Sequence, residues 1–389
     1  MDWMFPGLLA VLGFSWLGVA ALSLRSFLEP RPLEPLEPQP TPWPLVSVIV
    51  TALDEEATIE PALRTLLSAS YPELELIAVN DRSRDRTGEV IDRLAADSPR
   101  LQPVHIRELP GGWLGKVHAM DTGARAARGE WLLFTDADVH FGPTVIERAI
   151  QVCQRERLDH LTLWPRLEGR GLVLRAALVA FMTNLLLLLR PHRIGGEDSR
   201  GFVGIGAFNL VRRAALEKTP GLEWLKMEIV DDTGLARMMV DHGCRSNWRS
   251  AIQELSVEWY PSLSAMIRGL EKNMYGAFSH FRLNVFLVKL AAILPFVVGP
   301  YMAILLPGPW WQKLAGFTAL GVWISLAWLA ARPAGYGLVE AVLAPFLGAG
   351  IMFTALARST WMTLRNGGIR WRGTFYPIAE LRAGARLRL

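Results

Sequence analysis

The sequence predicts an α/β protein, a mostly parallel sheet domain with transmembrane helices at both ends. Three observations carry this. Between Leu45 and Asp138, short apolar runs alternate with segments of helical spacing, the pattern of a parallel sheet. Those runs lead into acidic residues, at the carboxyl ends of strands where open α/β sheets bind ligands. Apolar stretches of membrane length lie before and after this region.

Composition supports the membrane part. With 389 residues, 51% of them hydrophobic, and a mean hydropathy of +0.23, the chain is too large for one small domain and too apolar for an ordinary cytosolic enzyme. The net charge of +4 comes mostly from arginines scattered beside apolar segments rather than from one basic block. That distribution suits the flanks of membrane helices and argues against a nucleic-acid partner. Two cysteines, Cys153 and Cys244, make neither a disulfide framework nor a zinc pattern.

In chain order, Trp3 to Leu24 is long enough to cross a bilayer, with Asp2 before it and Arg25 and Arg31 after it. It reads as an anchor (1–25) with its carboxyl side in the cytosol; a cleaved signal would have a basic start and a shorter core. Residues 26–44, with Glu29, Pro30, Pro32, Pro35, Pro38, Pro40, Pro42 and Pro44, read as a semi-rigid spacer that holds a domain off the membrane. The soluble part, one α/β domain, spans 45–282. Its first strand, Leu45–Val50, precedes Asp54-Glu55-Glu56 and a helix with Ile59, Leu63, Leu66 and Leu67 on one face. A second strand, Leu74–Asn80, ends at Asp81 and leads to a helix around Val90 to Ala95. A third, Trp131–Thr135, delivers Asp136 and Asp138.

Alternate residues of a strand share a face, so Asp136 and Asp138 can point together beyond its end, a pair of hard oxygen ligands suited to Mg²⁺ or Mn²⁺. A surface turn is the plain alternative. No Gly-x-Gly-x-x-Gly follows the first strand and no Walker lysine loop is present, which disfavours dinucleotide and P-loop enzymes. Lys116, in Gly111-Gly112-Trp113-Leu114-Gly115-Lys116, is a compact cation beside glycines that let backbone approach a phosphate closely, or else a solvated surface charge. Asp231-Asp232 precedes a helical pattern and serves equally as an acidic helix start or as a cleft-facing base. The segment Gly201–Arg213 reads either as a ligand-side glycine segment or as a glycine-rich buried strand.

The series Thr51-Ala52-Leu53-Asp54-Glu55, Val79-Asn80-Asp81, Lys116, Thr135-Asp136-Ala137-Asp138 and Val230-Asp231-Asp232 resembles, in order and spacing, the family 2 glycosyltransferases of GT-A fold. The resemblance covers the whole soluble portion and implies an inverting hexosyltransferase using a nucleotide-diphosphate sugar, a UDP-sugar by preference. It implies Thr51, Leu53, Glu55 and Asp81 at the nucleoside, Lys116 at the diphosphate, and Asp136 toward the nucleotide. Asp138, with Asp136, falls at a divalent cation, Mg or Mn. The acidic pair falls at the reaction, with Asp232 as general base beside Asp231, and Gly204 and Gly206 near sugar and acceptor. Asp121 stands where family members often carry asparagine. Processive members carry Gln-x-x-Arg-Trp where this chain has Arg268-x-x-Glu271-Lys272, so the resemblance points to one sugar added to a lipid hydroxyl, as in bacterial carotenoid, hopanoid and ceramide-type enzymes. Arg268 and Lys272 share a helix face, toward either the diphosphate or an anionic lipid surface.

Gly171–Leu189 passes a crude span test, yet it falls between Asp138 and Asp232, which must share one side; 171–190 is therefore expected to be an interfacial helix that brings the acceptor to the cleft. Transmembrane helices are expected within 285–357, in runs near Leu290–Leu306, Leu314–Ala331 and Ala341–Ala357, followed by a basic cytoplasmic tail, 358–389. Four spans would put that tail outside, whereas Arg358, Arg365, Arg370, Arg372, Arg382, Arg386 and Arg388 favour the cytosol, so either one run is re-entrant, such as the proline-interrupted one around Pro295 and Pro300, or the orientation rule fails here. The expected setting is the cytoplasmic membrane, with the catalytic domain facing the cytoplasm and the lipid bilayer as a partner. Within the same fold, polyprenyl phosphate or a polysaccharide is the alternative acceptor. From other classes, the rivals are a Mg-dependent phosphatase, disfavoured by His140 two residues after Asp138, and a non-catalytic nucleotide-sugar-binding membrane protein.

Overall fold

The computed structural model describes residues 3–28, 31–38, 42–195 and 201–387; Asp2, Glu29, Pro30, Pro40 and Arg388 lie outside them. After helix α1 (Met4–Leu28), strand and helix alternate: β1 (Val46–Ala52), α2 (Ile59–Leu67), β2 (Leu74–Asp81), α3 (Thr87–Asp97), β3 (Leu101–Ile106), α4 (Gly115–Ala126) and β4 (Trp131–Asp136). Then follow β5 (Val139–Phe141), α5 (Val145–Glu156), β6 (His160–Trp164), β7 (Arg166–Leu167), α6 (Leu172–Leu189), β8 (Asn209–Arg212), α7 (Arg213–Leu216), α8 (Asp231–Asp241), β9 (Ser246–Ser250) and β10 (Leu255–Val257). Four helices come next, α9 (Leu263–Ser279), α10 (Leu283–Leu305), α11 (Trp310–Ala331) and α12 (Leu338–Asn366). A hairpin of β11 (Gly368–Trp371) and β12 (Thr374–Pro377) and a short helix α13 (Ile378–Gly384) complete the order.

Seven strands form one sheet in the order β3-β2-β1-β4-β8-β6-β9. The runs that predict strands are buried on both faces, as a sheet covered by helices requires: Val46, Val48, Ile49 and Val50 are at most 1% exposed. β1 pairs in parallel with β2 on one side and β4 on the other, and only β8 runs antiparallel to its neighbours. The register sets Thr51 beside both Val79 and Asp136, so the carboxyl ends of β1, β2 and β4 finish on one edge. β3 was not foreseen from the sequence. It pairs only with β2, at the sheet edge, where Pro103 withholds no needed donor.

The proline-rich stretch does not stand off as a spacer. Pro32 bridges Ser250 beside β9, Leu33 is buried in the sheet core, and Arg148 donates to the carbonyls of Leu33 and Glu34. The Glu34 carboxylate pairs with Arg155 (2.9 Å) and Arg249 (3.1 Å). Apolar composition around the prolines is too sparse to announce this docking, which depends on a cation-lined groove far away in sequence.

Among the described residues, α1, α6, α10, α11 and α12 are long and apolar enough to cross a membrane. α1, α10 and α11 pack together: Trp3 stacks on Trp311, and Trp16 donates to the Phe296 carbonyl (3.2 Å). α6 and α12 lie side by side in parallel. Arg175 pairs with Glu340 (3.2 Å) near their starts, and Ala180 abuts Gly348 further along. β6 precedes α6 and β8 follows it, yet the two strands are hydrogen-bonded neighbours, so α6 leaves the sheet domain and returns to it. Both ends of α12 also meet that domain: Tyr336, just before it, donates to the Leu167 carbonyl, and Asn366 at its end lines the central cavity. The segment expected to be a basic tail is folded. α12 continues through Asn366, the β11–β12 hairpin lies against the cavity, and the Arg386 and Leu387 amides donate to Glu228 (2.7 and 3.0 Å).

The Arg175–Glu340 pair gives a stability test. Arg175→Leu leaves Glu340, which is almost fully enclosed, without its cation and should cost about 2 kcal/mol, while Arg175→Leu combined with Glu340→Gln, which keeps an acceptor for the Gly337 amide, should recover most of that. Thermal unfolding of the two variants in detergent compares them.

Candidate active site

At the carboxyl edge of β1, β2 and β4 lies a cavity of about 410 Å³. Its lining includes Thr51, Leu53, Glu55, Asp81, Lys116, Asp136 and Asp138 from the sheet side, and Arg268 and Lys272 from α9. Asp231, Asp232, Gly204 and Gly206 are not part of the lining; they adjoin it through Lys116 and Asp136.

One ammonium joins the two groups. Lys116, in the first turn of α4, places Nζ 2.8 Å from Asp136 Oδ1 and 3.0 Å from Asp231 Oδ2. Against its burial, Asp136, Asp231 and Asp232 hold it protonated, with its pKa well above the usual lysine value. Asp136 is in turn held below the usual carboxylate range: burial opposes its ionisation, but Lys116 prevails. Asp231 is enclosed and committed to this pair, while Asp232 is half-buried. Asp232 is anchored by backbone donors, Gly206 N to Oδ2 (2.9 Å) and Thr233 N to Oδ1 (2.6 Å). Burial first, then the neighbouring Asp231, pushes its carboxyl up to about 6.

The glycine segment is irregular from Gly201 to Phe208 and becomes a strand only at Asn209, so it is not simply a glycine-rich strand. Its glycines are needed for contact. A Cβ on Gly204 would fall 1.9 Å from the Asp232 carbonyl oxygen, and one on Gly206 would fall 2.5 Å from Asp136 Oδ2.

Asp138 faces the cavity beside Asp136 and Glu55. Burial, then these two carboxylates, raises its carboxyl to about 7, so negative charge is concentrated there beyond what Lys116 compensates. Among the described residues no three His, Cys, Asp or Glu side chains form a self-sufficient metal cage. Two carboxylates with excess negative charge fit a hard divalent cation whose remaining ligands come from a phosphate and water. Asp81 is buried and gripped at both oxygens by Arg82 (2.7 and 2.9 Å).

Beyond Arg268 and Lys272, the carboxyl-terminal side of the cavity was missed from the sequence. Trp259 and Tyr260 before α9, Thr363 and Asn366 on α12, and Trp371, Arg372 and Tyr376 on the hairpin all line it. Tyr260 lies near the acids: burial, then Asp138 and Asp136, raises its pKa. Lys272 sits 3.7 Å above the Trp371 ring, a cation–π contact, and burial, then Lys116, lowers its pKa to about 8. The only sequence signal was local: Arg372-Gly373 between two short alternating runs marks a hairpin, but nothing marks where it docks.

Replacing Lys116 with methionine should destabilise the fold by about 2 kcal/mol at neutral pH, because Asp136 and Asp231 lose their shared cation. The deficit should shrink as pH falls and the acids protonate, which denaturant unfolding at two pH values measures.

Residues 47–219 match the family model described as Glycosyl transferase family 2. Over 233 residues the chain is 26% identical to a beta-monoglucosyldiacylglycerol synthase of Trichormus variabilis, covering 59% of this chain and 46% of that protein. The synthase of the same description from Synechocystis is 28% identical over 240 residues, 57% and 47% of the two chains. The uncharacterized glycosyltransferase EpsJ of Bacillus subtilis is 33% identical over 116 residues, 30% and 32%. The chain thus spans about a third to a half of the length of these relatives. Among solved structures, the mannosyltransferase PcManGT from Pyrobaculum calidifontis in complex with GDP-Man and Mn²⁺ superposes with a TM-score of 0.54 at 20% identity, covering 92% of this chain and 99% of that one, a likeness of fold.

Proposed function

We propose, from the premise that residues 47–219 of this chain are a glycosyltransferase family 2 domain, that the protein moves a single sugar from a nucleoside-diphosphate donor to a lipid hydroxyl with inversion. The observation that carries the reading is the Lys116 ammonium held between Asp136 and Asp231, with Asp232 next in sequence and half-open. It sets a fixed cation at a site for a diphosphate and a raised-pKa carboxylate just beyond it.

In this reading Thr51, Leu53, Glu55 and Asp81 hold the nucleoside, and Lys116 neutralises charge on the departing diphosphate. Asp231 fixes Lys116 in place. Asp136 and Asp138 would hold a divalent cation, which supplies further charge neutralisation at the diphosphate when bound. The acceptor oxygen bonds to the anomeric carbon from the face opposite the diphosphate, the bond from that carbon to the diphosphate oxygen breaks with its electron pair, and Asp232 takes the hydroxyl proton. Gly204 and Gly206, with no side chains, let their segment close onto Asp232 and Asp136 beside the sugar and acceptor. Arg268 and Lys272 approach the diphosphate from α9.

A lipid acceptor is supported by two things. The donor cavity is walled partly by Met362 and Thr363 on α12, one of the five apolar helices, and the cyanobacterial relatives are described as diacylglycerol glucosylating enzymes. For membrane placement we propose that α1, α10 and α11 cross the bilayer of the cytoplasmic membrane while α6 and α12, each with both ends at the sheet domain, lie along the interface. Three crossings return the basic carboxyl-terminal residues to the catalytic, cytoplasmic side, as the arginines there favour.

The test is incubation of detergent-purified protein with radiolabelled UDP-sugars or GDP-mannose and host lipid extract, with Mg²⁺, Mn²⁺ or chelator. A radiolabelled glycolipid formed only with cation is the expected outcome. Full turnover in chelator would remove the metal role of Asp136 and Asp138, phosphate release without glycolipid would favour a phosphatase, and binding without turnover a passive nucleotide-sugar carrier.

Asp232→Asn should lower kcat by roughly 10²–10⁴-fold. Because the base form is required and burial raises its carboxyl to about 6, wild-type kcat/KM should fall as pH drops through that value, about tenfold per pH unit on the acid limb. An acid limb that persists unchanged in Asp232→Asn would assign the base elsewhere.

A further inference from the structure

The turn of the β11–β12 hairpin places an arginine where the backbone favours glycine or asparagine. Arg372 has φ of 46° and Gly373 of 79°, so the two form a left-handed two-residue turn closed by the Trp371–Thr374 pair. The arginine side chain is aimed with care. Its Nη1 donates to the Leu53 carbonyl (2.9 Å) and its Nη2 to Glu55 Oε1 (2.7 Å), both on the loop after β1. Nearly half of the side chain remains open, at 43% exposure.

The same hairpin touches the cavity at two further points. Trp371 carries the Lys272 ammonium on its ring, and Tyr376 Oη accepts from the Gly115 amide (3.2 Å), the residue before Lys116. The hairpin is thereby fastened to the β1 loop, to α9 and to the start of α4, on three sides of one space. Among the described residues Lys272 makes no ion pair, and Arg372 spends only one terminal nitrogen on a carboxylate. Positive charge is therefore gathered on this wall without an equal number of acids facing it. A planar guanidinium with free donors is suited to two oxygens of a phosphate group, which a lysine cannot match in geometry.

We propose that Arg372 is a donor-binding residue: with Lys272 it binds the diphosphate of the nucleotide, and Glu55 holds the guanidinium in the cavity until the diphosphate takes its place. The inference rests on the nucleotide-sugar reading and adds to it a residue more than 150 positions beyond the family 2 domain, which ends at 219. Charge explains the exchange. A phosphate oxygen pair offers the guanidinium a bidentate partner, whereas Glu55 engages it through one oxygen.

The experiment is isothermal titration of the full-length protein in detergent with UDP, GDP and UMP in Mg²⁺, for wild type, Arg372→Gln and Arg372→Lys, with the ligand-free unfolding midpoint of each. Arg372→Gln should weaken UDP about 10-fold and leave UMP within about 2-fold, and Arg372→Lys should fall between. Equal weakening of UDP and UMP, no change in either, or a lowered ligand-free midpoint would make Arg372 a structural tie and overturn the proposal. Wild type that binds neither UDP nor GDP would instead overturn the donor reading itself, and this inference with it.

Discussion

Lys116 is the charge on which the arrangement depends. Three acids, Asp136, Asp231 and Asp232, come together from the end of β4 and the start of α8, and like charges so close repel unless a cation lies among them. The ammonium satisfies two of them directly and so joins three elements, β4, α4 and α8, at one point. Its position follows from the sheet: β1, β2 and β4 finish together by parallel register, and α4 packs across β1 and β2 with its first turn at that edge. The third acid, released from direct pairing, is the one whose affinity for a proton rises. A single lysine thus pairs with one of two adjacent carboxylates and leaves the other to its backbone donors.

The glycines of 201–206 belong to the same constraint. Backbone must come within contact of both Asp136 and Asp232 to bring the β8 side of the sheet over the acids, and side chains there would push the two apart. The amide of Gly206 then serves as donor to Asp232, so the segment both covers and orients the carboxylate.

Much of this was legible in the sequence wherever the determinant was local. The strands ending at Asp81 and Asp136 announce themselves by apolar runs followed by acids, and α2 by its spacing, because burial on both faces or on one stripe leaves a short-range pattern. β3 was not legible, since an edge strand with Pro103 and alternating exposure carries a weak signal. The docking of Leu33 and Glu34 was hidden for another reason: prolines describe local stiffness, while the partners Arg148, Arg155 and Arg249 come from elements more than a hundred residues away. The same holds for Arg372 and Glu55, 317 positions apart. Arginines after the last apolar run read as a topology signal by composition, and only the three-dimensional path shows that one of them enters the site.

The hairpin that walls the cavity follows, in chain order, all five long apolar helices found among the described residues. During synthesis the sheet domain is made early, but its cavity gains this wall only after α12 has emerged and settled against α6 and α9. A nascent chain with its sheet already folded therefore lacks the completed cavity until its long apolar helices and the hairpin after them have been made. The order of the chain thus makes this wall the last part of the cavity to be synthesised.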